Sequence, residues 1–484
     1  MSRLMKKQTL TLAIFALLAV ASLAVVRAAQ RPNLVFILTD DQAPWALGLA
    51  GHPHAETENL DQLFRQGAYL VNAFTTTPVC SPSRAGLMTS RYGTELGITD
   101  WIHPGREPEL GLDPATITWP ELLQQAGYNT ALFGKWHLGV PERFHPNRTG
   151  FDHFVGFRAG GTVLTNPKLD VNGTKKTFEG FTTNILTDQA IDFLQNGRDK
   201  QKPFLLCVHY RAPHAPWLPL PEEDWQPFES LDPTIPNPHY PKLDTKRVKR
   251  ITREYLGSVK SVDRNVGRLL TALKNEREEQ NTVVIFTSDH GYNVGHNGVL
   301  HKGNGHWILT DPPPGTDNVP RGQRPNMYDT SLRVPTAIRW PGVIAAGTRI
   351  TNTVTNLDWY PTLLAMARVE LPAGVILRGR DFTGLLRGEN LEWDNDLYAQ
   401  YSTHHTTHTH MRVYRTREWK LVRDFLNPER DELYNLVEDP AERTNLIKSP
   451  ASQVQAAVKR LDRKLRENTQ RIVDDLVSLP ASGE

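Results

Sequence analysis

Several short stretches of this 484-residue chain set reactive side chains at the end of apolar runs. Asp40 and Asp41 follow NLVFIL, Lys135 and His137 follow TALFG, His214 follows PFLLCVHY within RAPHAPW, and Asp289 and His290 follow TVVIFT. Adjacent carboxylates repel unless a cation lies between them, which points to a metal; each aspartate taken singly could instead cap a helix or turn. Cys80 stands in PVCSPSRAGLMTSRYG and is one of only two cysteines. Pro82 suits a first helical turn, which puts Cys80 at a helix N-terminus, where free N–H groups favour an anion. Arg84, about one turn on, adds a fixed charge and a donor fork. Lys135 and His137, two apart on extended backbone, face the same way. The chemistry these residue types imply is a metal-assisted attack on a sulfate or phosphate ester.

The elements that must position them read as buried parallel strands at residues 33–38, 130–134, 203–210 and 282–287, each a short apolar run. Helical spacing lies between them, most clearly from Tyr255 through Val259, Val262, Val266 and Leu269 to Leu273. TWPELLQQAGY reads as a helix closed by Gly127. Alternating strands and helices imply an α/β fold, a sheet with both faces covered by helices. Ligands of such sheets bind beyond the carboxyl ends of the strands, and four strands deliver acids, histidines and a lysine there. After about Leu371 the composition shifts. Residues 411–425 read as two antiparallel strands and residues 452–468 as an amphipathic helix, so residues 373–484 are expected to form a smaller C-terminal α+β subdomain. Cys207 lies inside an apolar strand, where a free cysteine packs as a small hydrophobe; Cys80 is thus not expected to be structural.

CSPSR, residues 80–84, resembles the sulfatase signature Cys-x-Pro-Ser-Arg, and LTDDQ, FGKWHLG, PHAPW, TSDHG, HKGNG, SLRVPTAIRWPG and DELYNLVEDPAERTNL resemble further blocks of that family in family order. The resemblance spans residues 31 to 446. It implies the alkaline-phosphatase-like fold, a large mixed, mainly parallel sheet sandwiched by helices, in a catalytic domain over residues 29–372. It also implies that Cys80 is oxidised to formylglycine by a formylglycine-generating enzyme, and that the hydrated aldehyde attacks sulfur as a covalent nucleophile. Asp40, Asp41, Asp289 and His290 resemble the ligands of one calcium ion, completed by a residue-80 oxygen. By the same resemblance Arg84 stabilises the hydrate, Lys135 and Lys302 hold sulfate oxygens, His137 helps to deprotonate the diol, and His214 protonates the leaving alcohol. Two departures stand out: His290 where many members carry Asn, and Thr89-Ser90 where the signature helix commonly ends Thr-Gly.

Composition narrows the rest. Hydrophobic content of 39% with 22% charged residues suits a globular protein. The basic start and the apolar run of residues 11–26, ending at small residues, read as a signal peptide over residues 1–28. Its removal takes Arg3, Lys6, Lys7 and Arg27 and turns a formal charge of +2 into −2. No global basic field suggests nucleic acid, no stable membrane insertion is expected after cleavage, and export to the periplasm or medium follows. The substrate implied is a small or oligosaccharide sulfate ester, probed against two alternatives: a phosphonate or phosphodiester hydrolase of the same superfamily, and a non-catalytic sulfated-glycan binder. The tract STHHTTHTHMRVYRT (His404, His405, His408 and His410) reads as a loop entering a strand, as a transition-metal binder, or as a loop reaching the pocket mouth.

Overall fold

The computed structural model describes residues 31–477; the expected signal peptide lies outside the described residues. Seventeen strands occur among them: β1 (Asn33–Thr39), β2 (Ala68–Phe74), β3 (Asn129–Lys135), β4 (His153–Phe157), β5 (Lys168–Val171), β6 (Thr174–Thr177), β7 (Phe204–His209), β8 (Thr282–Ser288), β9 (Asn293–Val294), β10 (Val299–His301), β11 (His306–Trp307), β12 (Ala337–Arg339), β13 (Thr348–Thr355), β14 (Leu397–Thr403), β15 (Thr409–Arg415), β16 (Trp419–Asp424) and β17 (Glu432–Asn435). Ten of them form one sheet in the order β13-β2-β12-β8-β1-β7-β3-β4-β5-β6. β8, β1, β7, β3 and β4 run parallel, β12 is antiparallel to both its neighbours, and β5 and β6 return antiparallel at the far edge. The sheet is therefore mixed and mainly parallel.

The central strands are continuous apolar runs because both faces are covered. On β1, Leu34, Phe36 and Leu38 enter one core while Val35 and Ile37 enter the other; on β7, Leu205 and Cys207 oppose Leu206 and Val208. The first core is closed by helices Cys80–Thr89, Trp119–Gln125 and Trp359–Ala367, the second by Glu58–Gln66, Thr182–Asp192 and the 31-residue Thr245–Asn275. At ~25 cal/mol per Å² of apolar surface removed from water, these two layers are the main source of stability. Gly127 follows Trp119–Gln125 with φ +91°, the left-handed exit expected of it. The basic run at residues 242–253 enters Thr245–Asn275, whose first turn is capped by the Asp244 carboxylate accepting from Arg247 N–H at 3.0 Å.

β14–β17 form a four-stranded antiparallel sheet, and helix Ser452–Arg471 lays Leu461 and Leu465 against Leu421 and Leu433. Ser90, the residue that departs from the signature pattern, takes φ +57°; its hydroxyl accepts from the Arg378 and Gly379 N–H groups, so the exchange alters packing.

Candidate active site

Because β1, β3, β7 and β8 are parallel neighbours, their carboxyl ends open at one edge, and the chemistry collects there. Asp40 and Asp41 follow β1, Lys135 ends β3, and Asp289 follows β8, its N–H donating to Thr39 O at 3.0 Å. Helix Cys80–Thr89 begins at Cys80, directing its free N–H end at the same point. Lys302 arrives from the small β9–β11 sheet, just past β10.

The cluster is tight. Cys80 Sγ lies 3.4 Å from both Asp40 Oδ1 and His290 Nε2, and Lys302 Nζ donates to it at 3.1 Å. Lys135 donates to Asp40 Oδ2 at 2.6 Å, Lys302 to Asp41 Oδ1 at 2.7 Å, and Arg84 Nε to Asp289 Oδ2 at 2.9 Å. His290 Nδ1–H donates to Gly291 O at 3.0 Å, and Nε2 faces Cys80 Sγ and Asp289 Oδ1, the latter 3.3 Å away. The two adjacent aspartates are driven apart. Burial raises both, but Lys135 leads the nearby cations that hold Asp40 well below the usual carboxylate range, while Asp41 is pushed up to about 7 by burial and by Asp40, against Lys302. Burial and the Asp40 carboxylate push the Cys80 thiol up, yet Lys135 and Lys302 win and lower it. Three site residues hold positive-φ backbone, Asp41 (φ +72°), His137 (φ +61°) and His301 (φ +87°). Such conformations are uncommon outside glycine, and the Tyr255 hydroxyl helps to fix the first by donating to Asp41 O at 2.7 Å.

Cys80, Lys135, His137, His214 and Lys302 line a cavity of about 770 Å³. Lys135 and His137 both face it, but not by strand alternation: β3 ends at Lys135 and the chain turns left-handed at His137. Gly134 permits this, with φ +122° and a position where a Cβ would sit 1.9 Å from His209 O. A Cβ at Gly160 would meet the His137 ring at 2.8 Å. Cys80 sits at the cavity floor, only 2% exposed. Arg84, expected beside it, does not line the cavity; it lies behind, donating to Asp289 and to Lys135 O. Sequence reasoning missed Arg211, His301, Asn304, Trp101 and His103, all on the cavity wall. The Arg211 guanidinium hydrogen-bonds the carbonyls of His214, Ala215 and Pro216, locking the loop that carries His214. The histidine tract turns between β14 and β15: His404 meets Glu107 at 2.7 Å and His405 donates to Trp101 O at 2.8 Å, so it abuts a cavity-wall loop without lining the cavity itself.

Comparison with known proteins bears on the family and the fold. The sulfatase family model matches residues 32–369, and that for the N-sulphoglucosamine sulphohydrolase C-terminal region matches residues 323–471. The chain is 28% identical to an N-acetylglucosamine-6-O-sulfatase of Bacteroides thetaiotaomicron, over 86% of this chain and 83% of that one. It is 27% identical to an ulvan-active sulfatase of Formosa agariphila, over 93% and 83%. A solved structure holding its substrate D-glucosamine-2-N,6-O-disulfate superposes with a TM-score of 0.78 at 25% identity, covering 92% of this chain and 99% of that chain. The family and the fold that bring these residues together are thus those of sulfatases. The chain belongs to the sulfatase family and is a sulfuric ester hydrolase.

Proposed function

We propose that the protein is an exported sulfatase that removes sulfate from sulfated carbohydrates, with residue 80 as the nucleophile in formylglycine form. The observation that carries this reading is Cys80 itself: a lone thiol at the N-terminus of a buried helix, on a cavity floor, in contact with Asp40, His290 and Lys302. A thiol in that place has no disulfide partner, since the only other cysteine, Cys207, is buried in β7. Conversion by a formylglycine-generating enzyme would supply, in hydrated form, an oxygen nucleophile and a second hydroxyl to release sulfate. Relatives that act on N-acetylglucosamine sulfate and ulvan support a sugar as the alcohol part. Among the described residues no helix is long and apolar enough to cross a membrane; the expectation of export rests on the leader sequence. We retain residues 29–372 as the catalytic unit and 373–484 as a smaller subdomain.

The donors fit a hard cation. Asp40, Cys80, Asp289 and His290 can each offer an atom within 4.8 Å of the others, and Asp41 Oδ2 is buried with no hydrogen-bond partner. Asp40, Asp41, Asp289 and His290, with a residue-80 oxygen, would hold calcium, which carboxylate oxygens suit and which supplies fixed positive charge beside residue 80. His290 offers a nitrogen, a poorer ligand for calcium, and would bind it in the neutral form.

The chain's own residues then divide the work. Lys135 and Lys302 bind sulfate oxygens, where preorganised charge favours the transition state. Arg84 keeps the Asp289 carboxylate oriented. His137 Nε2–H donates to Ile102 O at 3.1 Å, leaving a buried Nδ1 with no partner, free to accept a proton from a residue-80 hydroxyl. His214 Nδ1–H donates to Ala215 O at 2.6 Å, so Nε2 is the atom open to substrate. Burial holds this imidazole well below its ordinary pKa, against the pull of Asp40. An arriving sulfate ester brings negative charge that favours its protonated form, which is what a donor to the leaving alcohol requires. The test is sulfate release from a panel of sulfated mono- and oligosaccharides. Chelation should abolish release and calcium restore it, and Cys80→Ala should be inert. Turnover of phosphodiesters or phosphonates in place of sulfates would favour the related hydrolase reading.

A further inference from the structure

The cavity wall opposite the reacting groups is built from one loop. Ile102 is clamped at both ends of its peptide unit: its N–H donates to Ser81 Oγ at 3.0 Å, and its carbonyl accepts from His137 Nε2 at 3.1 Å. Its neighbours Trp101 and His103, which line the cavity, are thereby held in fixed relation to residue 80. From behind, the loop is tied to the C-terminal sheet. The Asp100 carboxylate accepts from Tyr401 OH at 2.8 Å and His404 N–H at 3.2 Å, and Glu107 takes His103 N–H at 3.0 Å and the His404 ring at 2.7 Å. The His405 ring lies 4.7 Å from that of Trp101.

His103 has one further property. Its Nδ1 accepts from two backbone N–H groups, Gly105 at 3.0 Å and Arg106 at 3.2 Å. Those donors cannot be reversed, so the lone pair is on Nδ1 and the ring proton on Nε2. The half-buried ring stands 5.1 Å from Trp101. The cavity thus has a fixed N–H donor beside an aromatic ring, which is the chemistry of recognising a sugar: an apolar ring face edged by oxygen acceptors.

We propose that Trp101 and His103 form the subsite for the sugar ring that bears the scissile sulfate, with His103 Nε2–H donating to one hydroxyl oxygen of that ring. This rests on the sulfatase reading and makes His103 a specificity-determining residue. The histidine tract serves it indirectly, by bracing the loop.

The test is a cycle between one side chain and one substrate oxygen. N-acetylglucosamine 6-sulfate and N-acetylgalactosamine 6-sulfate, with analogues in which each hydroxyl in turn is replaced by hydrogen, are compared by kcat/KM in wild type, His103→Phe and His103→Gln. Wild type should disfavour one deoxy analogue by about 3- to 10-fold, the size of one net hydrogen bond. That discrimination should vanish in His103→Phe, which keeps a ring without a donor, and return in part in His103→Gln. Each comparison is internal to one variant, so loss of folded or aldehyde-bearing protein cancels. Equal discrimination in wild type and His103→Phe would overturn the proposal, as would indifference of wild type to every hydroxyl. Failure to cleave either sugar while nitrophenyl sulfate is hydrolysed would also overturn it and leave the sulfatase reading intact. Failure with every sulfate ester would overturn that reading as well.

Discussion

Two clusters of buried charge, one at the cavity floor and one between the two sheets, show how differently a fold can use the same groups. In the second, Asp329 accepts from Lys420 at 2.9 Å and from Arg415 at 3.0 Å, and Glu442 accepts from Lys420 at 2.6 Å. None of these four side chains has a buried polar atom without a partner, and none lines the active-site cavity. The cavity-floor cluster matches three carboxylates (Asp40, Asp41, Asp289) with three cations (Lys135, Lys302, Arg84), yet leaves Asp41 Oδ2, an Arg84 nitrogen and His137 Nδ1 unsatisfied. Burying unpaired polar atoms is costly, so a cluster that tolerates three beside an open cavity is arranged for something that binds. Completeness marks the cluster that holds the sheets together; incompleteness marks the one that reacts.

Substitutions should separate the two by readout. Asp289→Asn keeps the shape of the side chain and an acceptor for Arg84 but removes a carboxylate from the proposed metal site. It should lower sulfate release by orders of magnitude and reduce calcium binding by calorimetry, with little change in melting temperature. His214→Ala should slow sugar sulfates by about 10²- to 10⁴-fold, the usual contribution of a general acid, and nitrophenyl sulfate much less, because a phenolate leaves without much help. Lys135→Ala should instead slow both substrates together, by about 10²- to 10³-fold; equal slowing in His214→Ala would make His214 a sulfate-binding group.

The structural cluster should respond the other way. Asp329→Ala leaves Lys420 and Arg415 without their shared counter-charge and should cost about 3–5 kcal/mol, read from denaturant unfolding, while the folded fraction turns over normally. Glu442 gives the smallest and most specific effect. Burial pushes its carboxyl from 4.5 up to about 7, with Lys420 opposing and Asp329 adding to the shift. A carboxyl raised in the folded state contributes its stability fully below about pH 4.5 and loses it as pH climbs through about 7. Wild type should therefore lose stability relative to Glu442→Gln across that window, and a pH-independent difference would show that Lys420 keeps the group ionised throughout.

The sequence made the reactive cluster more legible than the structural one. Strands buried on both faces are written as unbroken apolar runs, and their carboxyl ends must gather, so Asp40, Lys135, His214 and Asp289 could be placed together before any coordinates. Pro82 marked the helix that presents Cys80. What stayed hidden was delivered by loops with no periodicity: Trp101 and His103 on one wall, Arg211 bracing His214, and the left-handed turn that aims His137. Arg415 and Lys420 read only as charges in a hairpin, since their partners Asp329 and Glu442 lie far along the chain and pairing at long range leaves no local pattern. The tract at residues 404–410 drew notice by composition, but its role in bracing Asp100 and Glu107 depends on contacts some 300 residues distant in sequence.

The central claim is that residue 80 acts as an aldehyde-derived nucleophile on sulfate esters. It is tested most directly by preparing the protein with and without a formylglycine-generating enzyme. Mass spectrometry then gives the fraction of residue 80 present as aldehyde, and sulfate release is measured on the same samples. Specific activity should rise in proportion to the aldehyde fraction and extrapolate to zero for the thiol form. Full sulfate release from protein whose residue 80 is entirely cysteine would contradict the account.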